Sequence, residues 1–338
     1  MERMSRTAGS FSRLPARVVA NPSSRTRHVR LVAHRQSKGR FHISGRPLLS
    51  AGSPVGTVRS VGVFRHQRLF IHDMASSHPA SNPTSLQRAF NPAVYERVRK
   101  LWFEKAATDN ELMLPPMELA KQWFTSDPAF DELCRNAFGE QLRLIQSGDV
   151  TASDLLASTA SLKPFDWLGL ILLLDQVPRN CYRGPEAKIA FTTFDPIAVE
   201  ITLRAIKEGI PDTPEIRYHA GYRLWFYLPL QHSEERGIHE LSMVEHARIF
   251  ADMRELMDSS EERLGGDEKL RQCRRFLLEN REAVEKWDDM LVGFSRRHKA
   301  VIDRFGRYPH RNEALARDSS EEEVRYLAEG GETFSSGR

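Results

Sequence analysis

Across residues 90–328 apolar side chains recur at spacings of three and four, and no stretch of four to eight residues alternates strictly between apolar and polar. A helix buries one face at a period near 3.6, whereas a strand needs a period of two, so the chain is predicted to be all-α. Val94, Val98, Leu101 and Trp102 form one helical stripe, with Phe90 ahead of Pro92 at its start. Pro116 fits the first turn of a second helix carrying Leu119, Trp123 and Phe124. Asp127 and Pro128 make an N-cap and a first helical position, with Phe130, Leu133, Cys134, Phe138, Leu142 and Ile145 turned inward until Gly148. Asp195-Pro196 opens another helix through Val199, Thr202, Leu203 and Ile206 to Gly209, and Ser319 with Glu322 forms a capping box for the last one. Residues 167–174 are apolar on every side, so their helix is predicted to be the buried central one. Burying Trp167, Leu170, Ile171, Leu173 and Leu174 would contribute about 1.5–3 kcal/mol each before entropy, so a polar residue at Ile171 should be severe. Residues 258–285 are mostly charged, contain Gly265-Gly266, and read as an exposed insertion with a helical second half from Asp267. No repeat returns at a fixed period.

Charge divides the chain. Residues 1–72 hold 14 basic side chains against one acidic, Glu2, a balance of +13, while the remainder carries 35 bases against 44 acids, a balance of −9. The first stretch is rich in Arg and Ser, is interrupted by Pro15, Pro22, Pro47 and Pro54, and lacks the apolar content for a packed core. The domain organisation is therefore a disordered basic extension over residues 1–85 and an all-helical domain over residues 86–334 with the charged insertion near 258–285. Three readings of the extension stay open, in decreasing order of preference: a mitochondrial transit peptide, an upstream extension from a wrong start, and a basic nucleic-acid arm. Met74 opens a small polar segment suited to a native start, so translation from Met1 or from Met74 is undecided by sequence. The protein is expected to be mitochondrial if the extension is real and cytoplasmic otherwise. Cys134, Cys181 and Cys273 form no C-x-x-C pair, which argues against a disulfide framework or a structural zinc site and for a reduced, intracellular setting. The longest apolar run has eight residues, where a membrane span needs about 20.

Three junctions combine a helix end, a proline and a cluster of ionisable groups. Leu174-Asp175-Gln176-Val177-Pro178-Arg179-Asn180 puts Asp175 in the last turn of the most apolar helix, where the helix dipole disfavours an anion and calls for a cationic partner. Leu228-Pro229-Leu230-Gln231-His232-Ser233-Glu234 sets His232 and Glu234 beyond a helix expected to break at Pro229, with Ser233 as the next N-cap. Phe305-Gly306-Arg307-Tyr308-Pro309-His310-Arg311-Asn312 ends a long helix at Gly306 and supplies three cations within five residues. Taken singly, each ion pair reads more readily as a packing strut than as a site. Taken together, Arg179, Arg183, Arg307, Arg311 and Arg317 outnumber Asp175 and Glu234, and an excess of buried guanidinium demands an anion. Zinc through His232, Glu234, His298 and His310 lacks the H-E-x-x-H spacing, so no metal and no cofactor is expected. Ser233 beside His232 lacks the strand-to-helix elbow of a nucleophilic serine.

At these junctions the chain resembles a widespread family of bacterial and fungal proteins called domain of unknown function 924. The resemblance rests on Trp123-Phe124 with Ala129-Phe130-Asp131, on residues 172–180 with Tyr182-Arg183-Gly184, on Phe226-Tyr227-Leu228-Pro229-Leu230 with His232-Ser233-Glu234, and on residues 304–312 leading to Arg317. It covers roughly residues 90–334 and implies a tetratricopeptide-like helical array with no established activity. Val177 stands where Phe is usual in the family, Gln231 where Met is usual, and the charged insertion lengthens one connection.

The expected function is binding of a small acidic molecule, or of an acidic peptide end, in a pocket formed by Asp175, Arg179, Asn180, Arg183, His232, Arg307, His310, Arg311, Asn312 and Arg317. Arg307 and Arg311 would hold the anion, Asp175 would orient Arg179, and His232 would pair with Glu234 at the rim. An enzyme version, a metal-independent hydrolase or transferase on an anionic small molecule, would use His232, Glu234 or His310 as acid or base. The third reading is a protein-interaction scaffold gripping a partner on a concave helical face. Nucleic acid is disfavoured as a partner of the acidic helical part.

Overall fold

The computed structural model describes residues 85–334, which fall within one unit spanning Ser76–Arg338. The basic extension, and with it the choice between Met1 and Met74, lies outside the described residues. All regular structure among the described residues is helical, as the apolar spacing requires. No helix there is long and apolar enough to cross a membrane.

Helices α1 (Ser85–Ala89), α2 (Pro92–Trp102), α3 (Asp109–Met113), α4 (Met117–Trp123), α5 (Pro128–Gln146) and α6 (Ala152–Ser158) lead to α7 (Pro164–Cys181). Local caps start them: the Asn91 side chain accepts from Ala93 and Val94 N–H, and Asp127 does the same for Ala129 and Phe130. Leu133, expected on the inner face of α5, is instead 52% exposed, while Asp131 takes an inward position. In α7 every residue from Asp166 to Pro178 is buried, against α2, α5, α9 and α10. Gly169 makes this closeness feasible: a Cβ there would lie 2.4 Å from the Tyr95 carbonyl oxygen of α2.

After α7 the chain makes a short turn through α8 (Ala187–Ile189) and a π-helical turn, Ala190–Phe194, before α9 (Asp195–Lys207). Then come α10 (Ala220–His232), α11 (Arg236–Asp258), α12 (Glu268–Glu279), α13 (Arg281–Phe305) and α14 (Glu321–Ala328). Two expected breaks do not occur. Pro178 and Pro229 each sit inside a helix that continues for three more residues, to Cys181 and to His232. Each proline forfeits a single backbone hydrogen bond. The buried neighbours Val177 and Cys181 in α7, and Leu228, Leu230 and Gln231 in α10, hold the final turn in place. Ser233 therefore does not cap α11, which starts at Arg236; its hydroxyl accepts from the Glu235 N–H. The last capping box is shifted by one residue, to Ser320 and Glu323.

The charged segment after α11 is less exposed than its composition suggests. Asp267 caps α12 as the sequence indicates, but Leu264, Cys273, Leu277 and Val284 join the main core. The Trp287 indole N–H donates to the Pro115 carbonyl at 2.8 Å, tying α13 to the start of α4.

Candidate functional site

The last turn of α7, the C-terminus of α10, the π-helical turn before α9 and the corner after α13 meet. Because α7 runs through Pro178, Asp175 and Arg179 stay one helical turn apart on one face, with Arg179 Nη2 3.4 Å from Asp175 Oδ1. Because α10 runs through Pro229, His232 becomes its final residue and places Nδ1 2.6 Å from the same Asp175 oxygen. Gly306, at φ +69°, ends α13 in the left-handed region that favours glycine, and the chain turns into the short helix Pro309–Arg311. Arg311 Nη1 then donates to the His232 carbonyl at 3.0 Å and lies 3.4 Å from Asp195 Oδ2. Asp195 also accepts from Arg179 Nη2 at 2.5 Å. The result is one network, His232, Asp175, Arg179, Asp195 and Arg311, drawn from four places in the chain.

A cavity of about 360 Å³ opens beside this network. Arg179, Arg183, His232, His298, His310 and Arg311 give it a nitrogen-rich lining. Tyr182, Phe191, Tyr308 and Phe334 supply aromatic walls. The Arg311 guanidinium is flanked by the rings of Phe191, 4.4 Å away, and Tyr308, 4.6 Å away. Phe334 stacks on His298. No aspartate or glutamate is part of the lining. Asp175 and Asp195 are buried, and Asp131 binds Arg183 through both carboxylate oxygens, at 2.7 and 2.8 Å.

The other sequence candidates hold the corner and stand outside this lining. Arg317 makes a two-pronged pair with Glu234, at 2.7 and 3.1 Å, and Glu234 also accepts from the Tyr308 N–H. Asn312 accepts from Arg317 Nε and donates to Ser319. Arg307 pairs with Glu323 at 2.7 and 2.8 Å. Asn180 accepts from Arg183 and borders a smaller neighbouring hollow. The expected pairing of His232 with Glu234 is thus replaced by two separate pairs, His232 with Asp175 and Glu234 with Arg317. The expected surplus of guanidinium is also corrected: Asp131, Asp195 and Glu323, distant in sequence, bring the acids that face the five arginines level with them. Asp195 is the residue that sequence reasoning missed most directly. Its Asp-Pro signature does open α9, but the π-helical turn just before it leaves it buried instead of at a solvent-facing cap.

Burial works against the Asp175 carboxylate, yet the neighbouring His232 and Arg179, with hydrogen bonds from His232 and Gln176, hold it down to about 2. Burial and the neighbouring Arg179 push His232 below the usual imidazole range despite Asp175. Burial, aided by Arg311 and Arg179, pushes His310 down to about 4. Burial drives His298 well down and the Tyr308 phenol up. At neutral pH Asp175 is therefore ionised while His232, His298 and His310 are neutral. Asp175, Asp195 and His232 bring ligand atoms within 4.8 Å of one another, close enough to suit a metal ion. Arg179 already bridges both carboxylates, however, so a metal ion would have to displace a guanidinium of the same sign. That donor set fits an ion network better than a metal cage.

The chain belongs to the family described as bacterial protein of unknown function (DUF924), which matches residues 98–331, the span that includes every lining residue but Phe334. It is similar to a solved protein of unknown function, ATU0120 from Agrobacterium tumefaciens, at 24% identity, over 70% of this chain and 98% of that one, with a TM-score of 0.45. No curated protein matches the chain.

Proposed function

We propose that this member of the DUF924 family binds a small acidic molecule in the cavity between α7, α10 and the corner after α13. The observation that carries the reading is the layering of charge: guanidinium and imidazole groups line the cavity while their carboxylate partners stand behind them or to the side. A ligand carboxylate or phosphate would meet donors first, in surroundings whose overall charge is already balanced. The Nε atoms of Arg179 and Arg311 and the Nδ1 of His310 are buried without a hydrogen-bond partner among the described residues, so three lining side chains are not fully satisfied by the protein itself. About 360 Å³ suits a metabolite-sized molecule or the terminal residue of an acidic peptide. Arg311 and Arg179 hold the anion in this reading, and Arg307 braces the corner.

The test is a thermal-shift series on the full chain with small carboxylates and phosphates. A bound anion raises the melting temperature by mass action, and Arg311→Met abolishes that rise while the protein stays folded. Uniform failure of the anions to stabilise the wild-type chain removes the reading. The same proposal takes residues 1–85 as a mitochondrial address, and a mature cytosolic chain beginning at Met74 or Ala75 would refute that part.

A further inference from the structure

We infer that His232 is a general base acting on the bound molecule itself, removing a proton from a carbon next to a carbonyl group in a small 2-oxo acid, with Asp175 as its positioning residue. This rests on the anion-site reading above. The Asp175 side chain is 1% exposed, accepts from Gln176 at 2.5 Å on one oxygen, and faces His232 Nδ1 at 2.6 Å on the other. An ionised carboxylate can only accept, so it selects the imidazole tautomer with the proton on Nδ1 and leaves the Nε2 lone pair available. No hydrogen bond reaches Nε2 among the described residues, and the ring lines the cavity. The backbone of the base is fixed as well, because the His232 carbonyl accepts from Arg311 at 3.0 Å.

Two common covalent groups are missing from the remaining lining. It contains neither lysine, for a Schiff base, nor cysteine, for a thiolate nucleophile. Of its three guanidiniums, Arg179 and Arg311 stand beside His232 to hold a carboxylate and to stabilise an adjacent developing oxyanion. In the step proposed, the C–H bond breaks, its proton bonds to His232 Nε2, and the electron pair moves through the new C=C bond onto the carbonyl oxygen as an enolate. Asp175 stabilises the imidazolium that results. Return of the proton to carbon restores both partners, so no oxidant, reductant or second substrate is consumed. The charged and titratable groups around His232 are Asp175 and Arg179 from α7, Asp195 from α9, His239 from α11, His298 from α13 and Arg311 from the corner. The acids and arginines among them nearly cancel, and burial keeps His232 neutral near pH 7, the state a base requires.

The experiment follows exchange of C–H for C–D by NMR in D2O with the full chain and pyruvate, 2-oxobutyrate or 2-oxoglutarate, alongside a thermal shift with the same acids. The wild-type protein is expected to exchange at least one acid about 100-fold faster than buffer, in keeping with the usual contribution of a positioned base. His232→Gln, whose amide can still donate to Asp175, should fall to the buffer rate while remaining stabilised by the acid. Asp175→Asn should slow exchange and shift the midpoint of its pH profile, a change that loss of packing alone would not produce. Stabilisation by an acid without exchange overturns the base and leaves the anion site standing. Absence of both overturns both. Exchange that survives His232→Gln also overturns the assignment.

Discussion

The two ends of α10 carry the same kinds of charged group and use them differently. Near its start, Arg223 is 0% exposed, and all three guanidinium nitrogens are bonded: Nε to the Tyr227 hydroxyl, Nη1 to Asp252 and the Arg217 carbonyl, and Nη2 to Asp212. At its end, His232 has one nitrogen on Asp175, and the arginines beside it, Arg179 and Arg311, each keep an Nε without a partner among the described residues. Both clusters pair arginine with aspartate. In the first, acids and carbonyls surround a central cation; in the second, cations stand in front of acids and face a cavity. The two clusters therefore match in the kinds of charge they hold and differ in which sign faces open space.

The comparison is broken most readily at the strut. Arg223→Met should cost about 3–5 kcal/mol, because the Tyr227 hydroxyl and the Arg217 carbonyl lose a buried donor while Asp252 keeps only Arg217 and Asp212 only Arg248, and urea denaturation measures it directly. A loss below about 1 kcal/mol would mean that the two ends do not differ in kind. Acidification should come next in size. His246 is fully buried and pushed by burial down to about 4, and the partly buried His310 is pushed as low by burial and Arg311, so both remain neutral in the folded chain after their unfolded counterparts begin to protonate near pH 6.5. The unfolded state then binds more protons, and stability should fall as pH drops from about 6.5 to about 4, by up to about 3 kcal/mol for His246. A His246→Phe variant should flatten part of that slope in unfolding curves recorded at several pH values. The Asp175 contribution has the opposite kind of group and the same direction: it is full above the unfolded carboxylate range and disappears only as pH falls towards about 2.

Arg311→Met sharpens the contrast. Arg179 still faces Asp195, so the expected destabilisation is only about 1–2 kcal/mol, seen in the same denaturation assay, with anion-induced stabilisation lost. Arg307→Ala should leave the cavity untouched, because its side chain lies outside it, and should cost about 1–2 kcal/mol, because the Glu323 side chain it pairs with is only 3% exposed. Its anion-induced thermal shift should match that of the wild-type chain.

Helix faces were legible because the forces behind them act over a few residues. The stripe of α2, the cap at Asp127 and the end of α13 at Gly306 all stand where spacing and local chemistry put them. Errors arose where burial overruled local preference. Pro178 and Pro229 read as breaks because proline disfavours a helix interior, but packing carries both helices one further turn. Leu264, Cys273 and Leu277 are buried although their segment is dominated by charge. At the site, the polar corners containing Asp175, His232 and Arg311 were visible as motifs. Asp131 and Asp195 stood only in a resemblance motif and a helix start, and Phe191 and Phe334 in no motif, since nothing local to them marks a shared destination.

Sequence by itself determined that the described part of the chain is helical and which sides of most helices turn inward, because a 3.6-residue period is written within each segment. Tertiary structure alone decided which charges meet. Arg179 finds Asp195 16 residues away and Arg311 finds it 116 residues away. Such pairings depend on how helices cross and where they end, and therefore on the packing of the whole core.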